Sequence, residues 1–438
     1  MLDIKLIRSN PDAVKAAIAR RGESTSAIDE IVELDSRLRA LSTSRDELRA
    51  EIRQTSKQVG LLHAEGKSAD TKELAARSRA LGAEEKVLDE RCTQLSREIE
   101  VRLLNVSNMP SSDAPDGFSE DANVEVRNSG FDPERFDDHQ KVPHWDVGEQ
   151  LQILDVDRAV RLSGSMFVMY RGAGAQLLRA LIAFGLERNR DAFEEVRPPT
   201  LVKSDTMIGS GHLPKFADDA YHVSRDDLWA IPTAEVPLTS MFAGEVLSET
   251  DLPLRLMAHT SCYRREAGAA GRDTRGLLRV HEFDKVEMYA FCTPQQGHDM
   301  HHEILDRAEG AIRDLGLTYR ILDLACGDIS GAGTRTFDIE VFAPGADRWL
   351  EVSSVSWCTD YQTRRANIRF RRKGTKGTEF AHSLNGSALA VPRVWAAIVE
   401  TYRQPDGSVE MPEALHPYLG GLTKIEPRIH SPFVDLGE

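Results

Sequence analysis

The sequence predicts an α+β protein in which a long antiparallel helical hairpin precedes a domain of mixed helices and strands. Leucine and isoleucine recur in heptads between residues 27 and 106, as in a two-stranded coiled coil. Farther along, Arg171 to Arg188 carries an apolar helical stripe. Cys262 to Ala290 then reads as two alternating strands joined by a loop rich in glycine and arginine.

Composition and charge limit the kinds of protein that this can be. Its 438 residues, 41% of them hydrophobic, can bury a large core in more than one domain. The sequence has neither an apolar run of the roughly 18 residues that cross a bilayer nor a secretory signal. Five scattered cysteines without a C-x-x-C pair favour a cytoplasmic location over a disulfide framework. With a net charge of −15, any RNA would have to bind through local basic patches.

The predicted hairpin has two arms of similar length. Apolar seam residues follow three- and four-residue steps from Ile31 to Leu62, and leucines recur every seven residues from Leu74 to Leu95. A turn around Gly66 makes the arms antiparallel neighbours. At about 1.5 Å per residue, roughly 36 helical residues extend about 54 Å. The pattern alone is equally typical of a dimerisation or spacer element.

The first arm also carries a basic stripe at four-residue spacing, made of Arg45, Arg49, Arg53 and Lys57. Glu47 and Glu51 are interleaved with it, so the stripe is either an RNA-binding surface or an ordinary solvated helix face.

Composition divides the chain into residues 1–107, a linker at 108–130 rich in proline, serine and aspartate, and a mixed domain at 131–438. Within the mixed domain, FEEVRPPTLV (193–202) is predicted to be an extended strand that follows the helical stripe. The sequence contains no GxxxxGK[ST] loop and no GxGxxG turn to bind phosphates at a helix N-terminus.

Side chains alternate between the two faces along each of the two strands predicted in residues 262–290, and this alternation gives each strand a charged face. One face of the second strand has Arg279, His281, Phe283, Lys285 and Glu287, and the other has Leu278, Val280, Val286 and Met288. In the first strand Cys262, Arg264 and Glu266 share a face. Such faces suit a flat, charged ligand, because the arginine fork donates two hydrogen bonds to phosphate and an aromatic ring can stack on a base. The alternative is a solvated sheet face with cross-strand ion pairs.

The same segment resembles motif 2 of the class II aminoacyl-tRNA synthetases, and specifically of the bacterial-type seryl-tRNA synthetases. The strings that carry this resemblance are R-x-E (264–266), AGRDTRG (270–276) and HEFDKVEM (281–288). The resemblance continues through MIGSGHLPKF (207–216), PTAE (232–235), EVSS (351–354) and HSLNGSALA (382–390). These strings occur in the family's order between residues 207 and 390, and the resemblance covers nearly the whole chain.

The resemblance implies a class II synthetase core at 131–438, with an antiparallel sheet flanked by helices, and a tRNA-binding domain at 1–107. The hairpin arm would grip the long variable arm of tRNA(Ser). Pro198 or Pro199 would occupy the proline position of motif 1, which builds a homodimer interface in this class. The implied reaction is ATP-dependent ligation of L-serine to tRNA(Ser) through seryl-adenylate, with Mg²⁺. The resemblance leaves open whether tRNA(Sec) is a second acceptor.

The resemblance also assigns site residues. Arg264 would contact the α-phosphate, Glu266 the adenine amino group and Arg393 the γ-phosphate. Further ATP-binding residues would be Arg265, Val280, Phe283 (stacked on adenine), Glu351, Val352, Ser353 and Ser354. Glu351 and Ser354 would hold Mg²⁺, and their spacing requires a bend or bulge in the strand. The L-serine pocket would consist of Thr233, Ala234, Glu235, Glu287 and Ser387. Arg272 and Arg275, in the loop from Gly268 to Gly276, would meet the acceptor end of the tRNA, unless that loop is a solvated hairpin tip.

Two positions depart from the family pattern. Arg265 stands where a small polar residue is usual, and Ala388 stands where a glycine is usual. Pro392 directly precedes Arg393, so the helix that carries Arg393 is expected to start near Val391 with the proline in its first turn.

Two other functions compete with tRNA charging. An amino acid:carrier-protein ligase would keep the same core, but such an acceptor has no variable arm for the hairpin to reach. A coiled-coil interaction protein with a degenerate synthetase domain would not need the intact motif residues Arg264, Glu266, Thr233, Glu235, Glu287 and Ser387.

Overall fold

A computed structural model of the chain describes residues 1–64, 68–267 and 275–427. The chain divides into two compact units, one from Leu2 to Ser107 and the other from Asn108 onward together with Met1. Every helix in the described ranges is too short or too polar to span a membrane.

The first unit is the predicted helical hairpin on a small helical base. Its helices are α1 (Ile4–Ser9), α2 (Pro11–Arg20), α3 (Ser26–Ala64) and α4 (Ser68–Asn105). The arms are antiparallel, since Ser42 lies opposite Cys92 and Ser56 lies opposite Ser78. The hairpin is therefore confirmed, although the turn predicted at Gly66 lies outside the described residues.

Packing within the hairpin is strongest at its base. Ile31, Leu34, Leu95 and Ile99 are buried there, whereas the outer seam leucines stay half-buried because two helices cannot enclose them. Ion pairs join the arms farther out, with Arg45 and Arg49 bound to Asp89 and Arg49 also bound to Glu85. Half of the predicted basic stripe is thus neutralised within the hairpin.

The second unit contains the remaining helices and all the strands of the described chain. Its helices are α5 (His144–Gln150), α6 (Val156–Ser163), α7 (Ala173–Glu187), α8 (Ser204–Ser210), α9 (Glu235–Ser240), α10 (Gly297–Asp314), α11 (Tyr361–Ala366) and α12 (Val391–Thr401). The first eight strands are β1 (Val124–Asn128), β2 (Glu194–Glu195), β3 (Leu201–Lys203), β4 (His222–Val223), β5 (Leu228–Ala230), β6 (Val246–Ser248), β7 (Leu254–Tyr263) and β8 (Glu282–Cys292). The later strands are β9 (Tyr319–Asp323), β10 (Arg335–Ala343), β11 (Arg348–Thr359), β12 (Arg369–Arg371), β13 (Glu379–Phe380), β14 (His382–Ala390), β15 (Val409–Glu410) and β16 (Lys424–Ile425).

An eight-stranded sheet organises this unit in the order β1-β9-β10-β11-β14-β8-β7-β2. Every neighbouring pair is antiparallel except β2 and β7. Helices α7, α10 and α12 pack on it through a large apolar core that includes Leu177, Leu181, Ile304 and Trp395. The predicted antiparallel sheet flanked by helices is therefore confirmed.

The sequence-based boundaries differ from the structure in two places. Residues 108–130, predicted as a linker, include β1, which pairs with β9 at the edge of the sheet. The segment FEEVRPPTLV, predicted as one strand, forms only β2 and the start of β3, with the two prolines between them. Proline has no N–H to donate to a sheet, which explains the interruption.

Candidate active site

One cleft of about 620 Å³ gathers most of the predicted site residues on the sheet face opposite the helical core. Strands β8, β11 and β14 supply its floor, and the first turns of α9 and α12 supply residues at its walls. The predicted residues that line it are Thr233, Glu235, Arg264, Glu266, Val280, Phe283, Glu287, Glu351, Ser354, Ser387 and Arg393.

Four predicted residues do not line the cleft with their side chains. Ala234 and Val352 are fully buried in apolar clusters, and the Arg265 guanidinium donates to the Asp218 carbonyl at 3.2 Å. The Ser353 hydroxyl donates to the carbonyl of Ser387 at 2.6 Å, beneath the pocket. The side chains of Ala234, Val352 and Ser353 are buried, whereas that of Arg265 is exposed outside the cleft.

The paired strands end earlier than the alternation predicted. Strand β7 ends at Tyr263 and β8 begins at Glu282, so Arg264, Glu266, Arg279 and His281 lie in the connection rather than in the strands. Glu266 has a positive φ of 51°, and the Arg265 backbone N–H donates to the Asp219 carbonyl, which turns the chain out of the sheet.

Because regular alternation stops there, one expectation about faces was wrong. Val280, assigned to the core face, lines the cleft, whereas Leu278 lines the cleft and also belongs to the main apolar core as expected. Cys262 lies on the ligand face as predicted, since it pairs with Phe283, but it is fully buried and is not among the residues that line the cleft. Inside β8 the alternation holds, since Phe283, Lys285 and Glu287 line the cleft while Val286 and Met288 enter the core.

One end of the cleft combines cations with an aromatic ring. The Arg264 guanidinium lies 5.1 Å from the centre of the Phe283 ring, and Glu266 accepts a hydrogen bond from Arg279 at 2.8 Å. Arg393 donates to the Glu351 carbonyl at 2.8 Å, from a helix that begins at Val391 with Pro392 in its first turn as predicted. This end can bind phosphate through the two arginines and a base through Phe283.

The strand that bears Glu351 contains the expected bulge. Opposite it, Ile339 pairs with Ser353 and Glu340 pairs with Glu351, so Val352 is the extra residue. The bulge brings Glu351 and Ser354 to the same face, where both line the cleft. A second bulge falls at Ala388, which is buried where the family pattern has glycine.

Asp338 is a residue of this region that the sequence analysis missed. It pairs with Ser354 across β10 and β11, and its Oδ1 has no hydrogen-bond partner in the described part of the chain. Burial raises the pKa of Asp338 well above its usual range, and the nearby Glu351 carboxylate adds to the effect. Glu351 and Ser354 line the cleft, and Asp338 lies beside Ser354 without lining it; all three carry oxygen donors of the kind that a hard divalent cation prefers.

The other end of the cleft is a buried acidic pocket. Glu287 is 1% exposed, receives 3.3 Å hydrogen bonds from Asn385 and Ser387, and lies 2.7 Å from the Lys285 ammonium. Burial raises the pKa of Glu235 and of Glu287, and Lys285 opposes that shift in both. The Arg264 guanidinium also lowers the pKa of Glu235, and the two carboxylates can accept hydrogen bonds from a cationic ligand.

Several lining residues carried no predicted role. Lys285 was placed on this face without a function, and the Oδ1 of Asn385 has no partner in the described ranges. Met207, His212 and Phe216 also line the cleft and come from the quoted MIGSGHLPKF string. Burial lowers the pKa of His212 to about 3, so its ring stays neutral near neutral pH. Of the two loop arginines, Arg275 is exposed and Arg272 lies outside the described residues.

Comparison with known proteins gives a consistent result for both units. Residues 1–110 match the family profile described as the seryl-tRNA synthetase N-terminal domain, and residues 221–402 match the tRNA synthetase class II core domain (G, H, P, S and T). The serine–tRNA ligase of Synechococcus elongatus is 45% identical over 423 residues, covering 96% of this chain and 98% of that protein. The serine–tRNA ligase of Thermotoga neapolitana is 45% identical over 422 residues, covering 96% and 99%.

Solved structures agree with the sequence relatives. The seryl-tRNA synthetase of Pyrococcus horikoshii complexed with ATP superposes with a TM-score of 0.91 at 35% identity, covering 98% of this chain and all of that one. The cytoplasmic serine–tRNA ligase of Naegleria fowleri in complex with AMP gives a TM-score of 0.86 at 27% identity, covering 98% and 99%.

Proposed function

This chain belongs to the seryl-tRNA synthetase family of class II, and from that membership we propose that it activates L-serine with ATP and transfers the seryl group to tRNA(Ser). The observation that carries the proposal is a single cleft that joins a phosphate-binding end, with Arg264 and Arg393, to an acidic pocket with Glu235 and Glu287. An amino acid and a nucleotide bound there would lie side by side.

In the first step a carboxylate oxygen of serine attacks the α-phosphorus of ATP in line. A bond forms between that oxygen and phosphorus as the bond to the bridging oxygen breaks, and pyrophosphate leaves. Such a step needs positioning and charge neutralisation rather than a protein nucleophile. Arg264 would neutralise the α-phosphate, Arg393 would bind the γ-phosphate, Phe283 would stack on adenine and Glu266 would accept from its amino group. In the second step a hydroxyl of the tRNA 3′-terminal ribose attacks the acyl carbon, and AMP leaves.

We propose Mg²⁺ as the metal that accompanies ATP. Glu351 and Ser354 would hold it, and the buried oxygen of Asp338 supports this choice because Mg²⁺ prefers oxygen ligands. When bound, the ion would neutralise charge on the ATP phosphates. The chain's own contribution is to hold these oxygens on one face through the bulge at Val352.

Asp338→Asn should stabilise the ligand-free protein at neutral pH while weakening metal-dependent ATP binding. Because folding raises the pKa of Asp338, the free energy of unfolding of the unaltered protein falls as the pH rises from the ordinary pKa of a carboxyl towards the raised value. The fall is about 1.4 kcal/mol per pKa unit. The asparagine of the variant cannot titrate, so the free energy of unfolding of the variant does not fall in this way. The difference in free energy of unfolding between the variant and the unaltered protein should be small near pH 4 and should grow with pH. Urea unfolding followed by tryptophan fluorescence measures it, because all five tryptophans lie in the second unit. Parallel pH dependence in both proteins would contradict the prediction.

The acidic pocket supports serine as the substrate. Glu235 and Glu287 would bind the ammonium, while Thr233 and Ser387 offer hydroxyls at the same end. We therefore expect pyrophosphate exchange that depends on serine, with alanine poorer by roughly 10⁴-fold in kcat/KM because the polar groups would be left unpaired. ATP–pyrophosphate exchange with each amino acid in turn measures this. Folded protein that shows no serine-dependent exchange would favour the degenerate-domain alternative.

The long helical hairpin bears on which molecule accepts the seryl group. A carrier-protein ligase would transfer serine to a carrier protein, and we propose instead transfer to tRNA(Ser), supported by the 39-residue and 38-residue helices of the hairpin. Charging assays with tRNA(Ser), tRNA(Sec) and a carrier protein as separate acceptors decide between these.

We also propose that the protein is a cytoplasmic homodimer. The five cysteines are free and buried, which fits a reducing compartment. The dimer rests on the motif 1 segment with its two prolines, and sedimentation velocity measures the mass in solution. A monomer at micromolar concentration would contradict the dimer.

A further inference from the structure

A buried hydrogen-bond cluster lies directly beneath the proposed serine pocket. Its centre is Gln362 of α11, whose side chain is fully buried and lies 2.6 Å from the Glu235 carboxylate. The other members are Tyr289, Ser383 and Thr239, all buried. The function proposed above assigns no role to this cluster.

The partners of Gln362 determine how its amide is oriented. Its Nε2 faces Glu235 Oε1 at 2.6 Å and the Ser210 carbonyl at 3.0 Å, and a deprotonated carboxylate and a carbonyl can only accept. Its Oε1 accepts from the Tyr289 hydroxyl at 3.0 Å and from the Ser383 hydroxyl at 2.7 Å. Both amide hydrogens and both lone pairs are therefore used, so the side chain cannot turn without breaking buried hydrogen bonds.

This fixed amide acts on the charge of Glu235. Burial raises the pKa of Glu235, while the Lys285 ammonium, the hydrogen bond from Gln362 and the Arg264 guanidinium lower it, and Glu287 is a second carboxyl that interacts with it. A donated hydrogen bond favours the ionised carboxylate over the protonated one. It also holds one carboxylate oxygen in place, while the residue still lines the cleft.

We propose that Gln362 is a positioning residue for amino-acid recognition, which keeps the Glu235 carboxylate ionised and aimed at the substrate ammonium. This inference rests on the proposed function, because it takes the acidic pocket as the serine site. Gln362 itself does not touch the substrate; it acts through Glu235 across 127 residues of sequence.

The test is Gln362→Met, which keeps the length of the side chain and removes its hydrogen bonds. We expect the KM for serine in pyrophosphate exchange to rise by about 10- to 100-fold, as for a lost hydrogen bond to a charged group. The KM for ATP should stay within about twofold. In the pH profile of kcat/KM for serine, the acid limb is the fall in activity at low pH. This acid limb should move to higher pH, because Glu235 loses a hydrogen-bond donor that favours its charged form.

Tyr289→Phe is the matched control. It removes the hydroxyl that donates to Gln362 Oε1 and accepts from Thr239, but Ser383 still donates to that oxygen and the Gln362 amide stays on Glu235, so the serine KM and the acid limb should change little. If Gln362→Met fails to fold, Gln362→Glu replaces it, since a second carboxyl beside Glu235 should move the acid limb the same way.

Three results would overturn the proposal: equal rises in the KM for ATP and serine, an unmoved acid limb, or the same effects in Tyr289→Phe. Failure of the proposed function is a separate result, because it would show as absent serine-dependent exchange in the unaltered protein.

Discussion

Shortening the helical arm should abolish charging of tRNA(Ser) and leave serine activation intact. The variant replaces residues 46–88 with a short glycine–serine turn that joins Arg45 to Asp89, whose side chains lie 3.1 Å apart across the hairpin. The buried base around Ile31, Leu34, Leu95 and Ile99 is kept, so the first unit should still fold. Because the removed part would carry the tRNA contact, we expect kcat/KM for charging to fall by about 10³-fold or more, which corresponds to about 4 kcal/mol.

Serine-dependent pyrophosphate exchange by the same preparation is the control, since it needs only the cleft of the second unit. Exchange should stay within about twofold of the full-length value. Charging that survives at the full rate would show that the arm is a spacer or dimerisation element. Salt supplies an independent readout, because charging by the full-length protein should weaken with ionic strength if the arm binds RNA phosphates.

The periodic spacing of residues close together in the sequence predicted the fold well. The heptads gave the hairpin, and Leu177 and Leu181 of the predicted apolar stripe are buried in the main core as expected. The spacing of Glu351 and Ser354 required a bulge, and the register of β10 against β11 contains it. These predictions succeeded because each depended on residues close together in the sequence.

The site was predicted less completely, for two physical reasons. Alternation holds only inside β7 and β8, so the face assigned to Val280, which lies before β8, was wrong. Asp338 and Gln362 were missed because their importance comes from partners brought close only by the sheet and by α11. A lone Asp in a strand or Gln in a short helix carries no local signal of that contact.

Replacing Glu287 by glutamine should nearly abolish serine activation with little change in shape. Glu287 is 1% exposed and receives hydrogen bonds from Asn385 and Ser387 beside the Lys285 ammonium, so the substitution removes the charge and keeps the volume. A buried charged contact is worth about 2–4 kcal/mol, so kcat/KM for serine in pyrophosphate exchange should fall by about 10²- to 10³-fold.

A neighbour on the same strand provides the matched control for Glu287→Gln. Asp284→Asn also removes a carboxylate, here one hydrogen-bonded to the His259 ring at 2.8 Å, but Asp284 does not line the cleft, so exchange should be nearly unchanged. Because burial raises the pKa of Glu287, its protonation should also cause the unaltered protein to lose serine binding at a higher pH than an ordinary carboxyl would. The glutamine variant has no proton to gain at this position, so its remaining acid limb should report Glu235 alone. Unchanged exchange kinetics in Glu287→Gln would show that Glu287 is not part of the serine pocket. The proposal that the acidic end of the cleft binds the substrate ammonium would then be wrong.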